Sequence, residues 1–116
     1  MHDFKKLEVW SKSMTLATQV YELTKNFPEE EKFGLISQMR RCSVSIPSNI
    51  AEGAGRKGDK EFANFISIAL GSAFELETQL LLSERLKFVE KHTIQNLLDE
   101  VESVCKMLHS LKKRFV

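Results

Sequence analysis

Glycine and proline are scarce in this chain: five and two in 116 residues. An all-β protein of that length would need more of both at its turns. The scarcity argues for a few long helices joined by short connections. Only two cysteines occur, Cys42 and Cys105, each set among apolar neighbours. They make no disulfide framework, and two free buried thiols in a reducing compartment are the expectation. An excess of either charge is also missing, since 17 Lys and Arg offset 16 Asp and Glu for a net charge of +1. Whole-chain electrostatics therefore gives no sign of nucleic-acid binding, which would need a local basic patch or an assembly that concentrates one. No window approaches the roughly 20 apolar residues of a membrane span. The opening Met-His-Asp-Phe-Lys-Lys has none of the apolar segment of a secretion signal. The expectation is a cytoplasmic protein with no membrane partner.

What is present is a 42% hydrophobic, 28% charged composition, that of a globular chain able to bury one continuous core. Residues 1–116 read as a single domain. Leu7, Trp10, Met14, Ala17, Tyr21 and Thr24 recur at three- and four-residue steps, beside a second stripe of Val9, Leu16, Val20, Leu23 and Phe27. Both belong to one helix from about Leu7 to Asn26. Two stripes make a wider apolar arc than one pair of neighbouring helices requires. Leu35, Met39, Cys42, Ile46 and Ile50 mark a second helix, with Pro47 inside it and glycines 53, 55 and 58 at its end. Proline in that position predicts a kinked helix, or two short helices meeting at Ile46.

Asp59 is positioned to cap a third helix. Phe62, Phe65, Ile66, Ala69, Ala73, Leu76 and Leu80 line one face of it, and the small Ala63, Ser67, Gly71 and Ser72 allow another backbone to approach. A fourth helix from Thr93 carries Ile94, Leu97, Val101, Val104, Leu108 and Leu111 in strict rhythm. The prediction is an all-α, antiparallel up-down four-helix bundle, kinked at Pro47.

Candidate chemistry is thin. Gly53-Ala54-Gly55-Arg56-Lys57-Gly58 matches the letters of the dinucleotide fingerprint. That fingerprint works only where a strand turns into a helix, and here a helix precedes it. A helix end and turn account for the glycines. Arg56, Lys57 and Lys60 then remain as cations beside exposed backbone amides, suited to phosphate.

Glu102, Cys105 and His109 share a helical face, yet Cys105 lies in the apolar stripe, where cysteine behaves as a small hydrophobe. No metal, cofactor or small-molecule substrate is expected, and no nucleophile–base pair assembles. Ser43, Ser45, Ser48, Asn49 and Glu52 surround Pro47. They either satisfy backbone groups freed by the proline or form a polar seam for a partner. Arg40 reads as an ion pair to a neighbour such as Glu75 or Glu77. Arg41 divides between that role and phosphate contact. Lys106, His109, Lys112, Lys113 and Arg114 make the last helix basic, in keeping with its C-terminal dipole.

Several stretches together carry a family resemblance. They include Phe27-Pro28, Phe33-Gly34-Leu35 and Gln38-Met39-Arg40-Arg41-Cys42-Ser43-Val44-Ser45-Ile46-Pro47-Ser48-Asn49-Ile50-Ala51-Glu52-Gly53. Phe62, Phe65, Ile68, Ala69, Gly71, Ser72, Glu75, Leu76 and Glu77 complete the set. The chain resembles the bacterial 23S rRNA intervening-sequence proteins over nearly its whole length.

The resemblance implies a cytoplasmic bundle assembling as a ring-like homopentamer. Some members are encoded within intervening sequences of the rRNA gene. A similar protein of diversity-generating retroelements is a basic pentamer that binds nucleic acid and a reverse transcriptase. The expectation is a non-enzymatic homo-oligomer that docks RNA, DNA or a nucleic-acid-handling protein through Arg41, Arg56, Lys57 and Lys60. The rival is a protein-interaction scaffold with no nucleic acid.

Overall fold

The computed structural model describes residues 2–115. Four helices follow one another: α1 (Glu8–Thr24), α2 (Leu35–Ala54), α3 (Asp59–Arg85) and α4 (Lys91–Lys113). Short 3-10 turns at Phe4–Lys6 and Glu29–Glu31 precede α1 and α2. Among the described residues there are no strands. The helices pack in cyclic order, each against the one before and after it, with α1 closing on α4. The result is a four-helix bundle about 43 Å long and 24 by 19 Å across.

Each boundary has a local cause. Asp3 Oδ1 accepts the Lys5 amide at 3.1 Å and shapes the first turn. Glu31 Oε1 accepts the Leu35 amide at 3.1 Å, so the acidic turn caps α2 and complements its dipole. α2 is helical without a break from Leu35 to Ala54, through Pro47, so two short helices meeting at Ile46 are not what forms. The N-cap of α3 is Gly58 rather than Asp59, which instead occupies the first helical position and serves the dipole from there. α3 ends in a Schellman motif: the Phe88 amide donates to Ser83 O at 3.0 Å and the Lys87 amide to Glu84 O at 2.9 Å, with Lys87 at φ 63°. α4 begins two residues before Thr93, because the Ile94 amide already closes a turn onto Glu90 O at 3.1 Å.

The core runs the length of the bundle. Val20, Met39, Ile46, Ile50, Ile66, Ala69, Ala73, Leu76, Leu80, Val101, Val104 and Leu108 are fully buried. One of the two α1 stripes supplies Val9, Leu16 and Val20 to it. Of the other, Ala17 and Thr24 are buried, Leu7 and Trp10 pack half-buried against the core, and Met14 and Tyr21 are exposed. α3 is the longest helix and, contrary to the sequence expectation, is long and apolar enough to cross a membrane. Part of that apolarity is core. The rest lies on its outer face, where Ile68, Phe74, Leu81 and Leu82 are exposed.

Gly53 fixes the approach of α2 to α3. A Cβ added there would lie 2.6 Å from the Phe65 Cβ and 3.0 Å from Phe62 Cδ1. The first of those neighbours cannot rotate away, because it is bonded to the α3 backbone. Glycine at this position is therefore a packing requirement, beyond any role in ending a helix. Gly71, also helical, has nothing within 4 Å of its added Cβ. Gly53→Ala is expected to cost about 1–3 kcal/mol in urea unfolding. Gly71→Ala should lose no stability in the same measurement.

Candidate nucleic-acid interface

An up-down bundle returns alternate connections to the same end. The N-terminal turn, the α2–α3 turn and the C-terminus of α4 therefore meet. The His2 amide donates to Ala54 O at 2.8 Å. Its ring packs against Phe62 at 5.1 Å and Phe115 at 5.3 Å, and those two phenylalanines pack on each other at 4.8 Å. His2 Nε2 also lies 4.0 Å from Asp59 Oδ1. These contacts seal the end of the core and bring three basic segments of the chain together.

Lys5 and Lys6 come from the first turn, Arg56, Lys57 and Lys60 from the α2–α3 connection, and Lys112, Lys113 and Arg114 from α4. Against these eight stand Asp3, Glu8, Glu52, Asp59 and Glu61, leaving an excess of three positive charges. The opposite end has Lys25, Lys32, Arg85, Lys87 and Lys91 against Glu22, Glu29, Glu30, Glu31, Glu84 and Glu90, one negative charge in excess. The net charge of +1 conceals a polarised molecule.

Of the four cations singled out from sequence, three share this end. Lys57 and Lys60 are exposed. Arg56 is held: its Nη2 donates to Glu52 Oε1 at 3.3 Å and its guanidinium lies 4.9 Å over the Phe65 ring. Arg41 stands apart, about 22 Å away along α2. It lines an open polar pocket on the α2–α3 face with Gln38, Cys42, Ser45, Ser72 and Glu75. Arg41 and the turn cations thus form no single patch. Lys5 and Lys6 were missed from sequence because nothing local marks them; they join the patch only through the parity of the bundle.

Arg40 is structural, though not through α3. Its Nε donates to Thr24 Oγ1 at 2.9 Å and its Nη2 to Tyr21 O at 3.3 Å, with the guanidinium 4.7 Å over the Tyr21 ring. The ion pair expected with Glu75 or Glu77 is replaced by a clamp on the last turn of α1. The polar residues around Pro47 divide. Ser45 shares a 2.9 Å hydrogen bond with Ser72 of α3, and Asn49 Nδ2 donates to Ser45 O at 2.8 Å and to its Oγ at 2.9 Å. This seam is an internal α2–α3 link, while Ser48 faces the groove between α1 and α2.

Both cysteines are free and buried. Burial, with Glu75 nearby, pushes the Cys42 thiol up to about 12. Burial, with Glu77 and Glu102, pushes Cys105 up to about 11. Cys42 donates to Ser72 O at 2.9 Å. Thiols held protonated this way are poor nucleophiles and poor metal ligands at neutral pH. Among the described residues no group of three His, Cys, Asp or Glu is placed to hold a metal.

The unfolded thiols lose their protons near 9, before the folded ones do. Stability should therefore fall as pH rises from about 9 toward 11. Cys42→Ala should flatten that fall in urea titrations. Native protein at pH 8 should react with a thiol reagent far more slowly than the urea-unfolded chain.

The model of the 23S rRNA-intervening sequence protein family matches residues 5–110. A crystal structure of a protein of unknown function from the S23 ribosomal protein family of Bacteroides thetaiotaomicron is similar throughout. It has 29% identity and a TM-score of 0.84, and the alignment covers 90% of this chain and 95% of that one. No curated protein matches.

Proposed function

The chain belongs to the 23S rRNA-intervening sequence protein family, and from that premise we propose that it is a non-enzymatic, self-assembling protein whose basic end docks RNA. One observation carries this reading: three separate basic segments converge on one end of the bundle. Each of them alone has an ordinary explanation, such as a helix dipole or a solvated turn. Their convergence leaves eight cations around one rim, a surface suited to phosphate.

Assembly supplies what one copy lacks. An excess of three charges is a modest field, but copies arranged side by side in a ring would present it repeatedly to one strand, raising apparent affinity through effective concentration. The surface for assembly is apolar. Met14, Tyr21 and Val44 border an open groove between α1 and α2, and Ile68, Phe74, Leu81 and Leu82 form a ridge on α3. α4 carries no large exposed apolar residue. Groove and ridge lie on different sides of the molecule, so the contact they favour is heterologous, the kind that builds a ring when the rotation between copies closes. The family resemblance supports five copies.

RNA affinity should fall steeply with salt, with a log–log slope of about 0.7 per phosphate contact on single strands. Replacing Arg56, Lys57 and Lys60 together by Gln should lower that slope by up to about 2 while leaving thermal unfolding unchanged. Absence of RNA binding at low ionic strength would overturn the docking role and leave a protein scaffold. Light scattering should return several times the 13.3 kDa chain mass. Gly71→Arg, placing a long cation on the α3 ridge, should shift the protein toward monomer without unfolding it.

A further inference from the structure

We infer that the basic end is built for a single-stranded nucleic-acid segment rather than a duplex. This inference rests on the RNA-docking reading above and specifies its ligand. Its basis is that each basic segment at this end holds a cation beside an aromatic ring. Lys5 Nζ lies 5.9 Å from the Phe4 ring centroid, Arg56 is 4.9 Å over Phe65, and Arg114 is 5.9 Å from Phe115. Each basic segment thus brings its own ring. All three phenylalanines are only half-buried. The Phe115 ring is backed by Phe62 and flanked by His2, itself exposed, so ring surface reaches the rim instead of ending inside the core.

Phe4 and Phe115 also pack against the core, and the ring surface each leaves at the rim is surface that phosphate contact does not use. A duplex keeps its bases stacked on each other and offers a partner only its backbone and groove edges. A single strand can turn its bases outward, and aromatic faces or guanidinium planes then stack on them while neighbouring cations hold the phosphates. Charge density separates the two ligands in the opposite sense. Duplex DNA carries one charge per about 1.7 Å of axis, roughly twice the density of one of its strands. A purely electrostatic end therefore prefers the duplex, and an end that stacks bases prefers the single strand.

The experiment compares a fluorescent oligouridine of about 15 nucleotides with an RNA duplex of the same length at one salt concentration. The full chain should bind the oligouridine at least tenfold more tightly. Phe115→Leu, which keeps apolar volume against Phe62 but removes the ring, should erase most of that preference while leaving duplex affinity unchanged. His2→Ala provides a second test, which keeps the backbone hydrogen bond to Ala54 O and is read beside thermal unfolding as its control, and should reduce the preference severalfold. Equal or tighter duplex binding by the unmodified chain would overturn the inference and leave RNA docking intact. A preference unchanged in both variants would overturn it too. Failure to bind either probe at low salt would overturn the docking reading itself.

Discussion

The close contact of α2 with α3 governs the rest of the molecule. At Gly53 the α2 backbone comes so near α3 that a Cβ would sit 2.6 Å from that of Phe65. This contact sets the α2–α3 turn directly above the packed end of the core. It places Phe65 where the Arg56 guanidinium can cover it and Phe62 where Phe115 and His2 can stack. Two turns of helix further from that end, the same contact allows Ser45 and Ser72 to share a hydrogen bond and the Cys42 thiol to reach the Ser72 carbonyl. A larger residue at 53 would spread the helices at the end where the basic rim is assembled.

The helices themselves were legible because their apolar residues recur with helical period and because proline and glycine fall at or near the connections. The pattern gave four helices, an up-down order and a single core. It could not give the exact starts. Whether Gly58 or Asp59 caps α3, and whether α4 begins at Lys91 or Thr93, depends on one backbone hydrogen bond each, and several neighbouring residues are compatible with either. Arg40 shows the same limit for side chains: its charge pointed to a carboxylate, yet it spends its donors on Thr24 and Tyr21 O, which no spacing rule identifies. Of the candidate site, Arg56, Lys57 and Lys60 were legible as a cluster because they are adjacent in sequence. Lys5 and Lys6 were not, because their membership follows from topology alone.

The surplus apolar surface has a distribution that internal packing does not explain. A bundle helix needs one apolar arc, and α4 has one, with charged residues on the remainder. α1 and α3 each have more. No residue between Phe62 and Phe74 is charged, although Ile68 and Phe74 are about half exposed. Gly71 sits in the middle of that stretch with open space over it, at a helical position where alanine would be more stable by about 1 kcal/mol. Under the assembly proposed above, these are the surfaces that neighbouring copies would cover, leaving the charged α4 to solvent. α3 is long and apolar enough to cross a membrane because core residues on one side and exposed apolar residues on the other leave few places for charge.

The near-neutral net charge then ceases to argue against an ionic ligand. The bundle is 43 Å long, whereas charges in water at physiological ionic strength are screened over about 8 Å. A strand at the basic end is thus several screening lengths from the Glu29–Glu31 turn and is hardly affected by it. A strand docked as proposed would meet the local excess of three positive charges, not the whole-chain value of +1. The long-range attraction that announces strongly basic proteins is absent, and encounter is correspondingly slower. Binding strength is less affected, because it depends on contacts within a screening length: cations that release counterions and rings that stack. Segregating charge along the axis lets one small chain keep an ionic end, while the apolar flanks of its middle stay free of the like-charge repulsion that would oppose the proposed packing of copies.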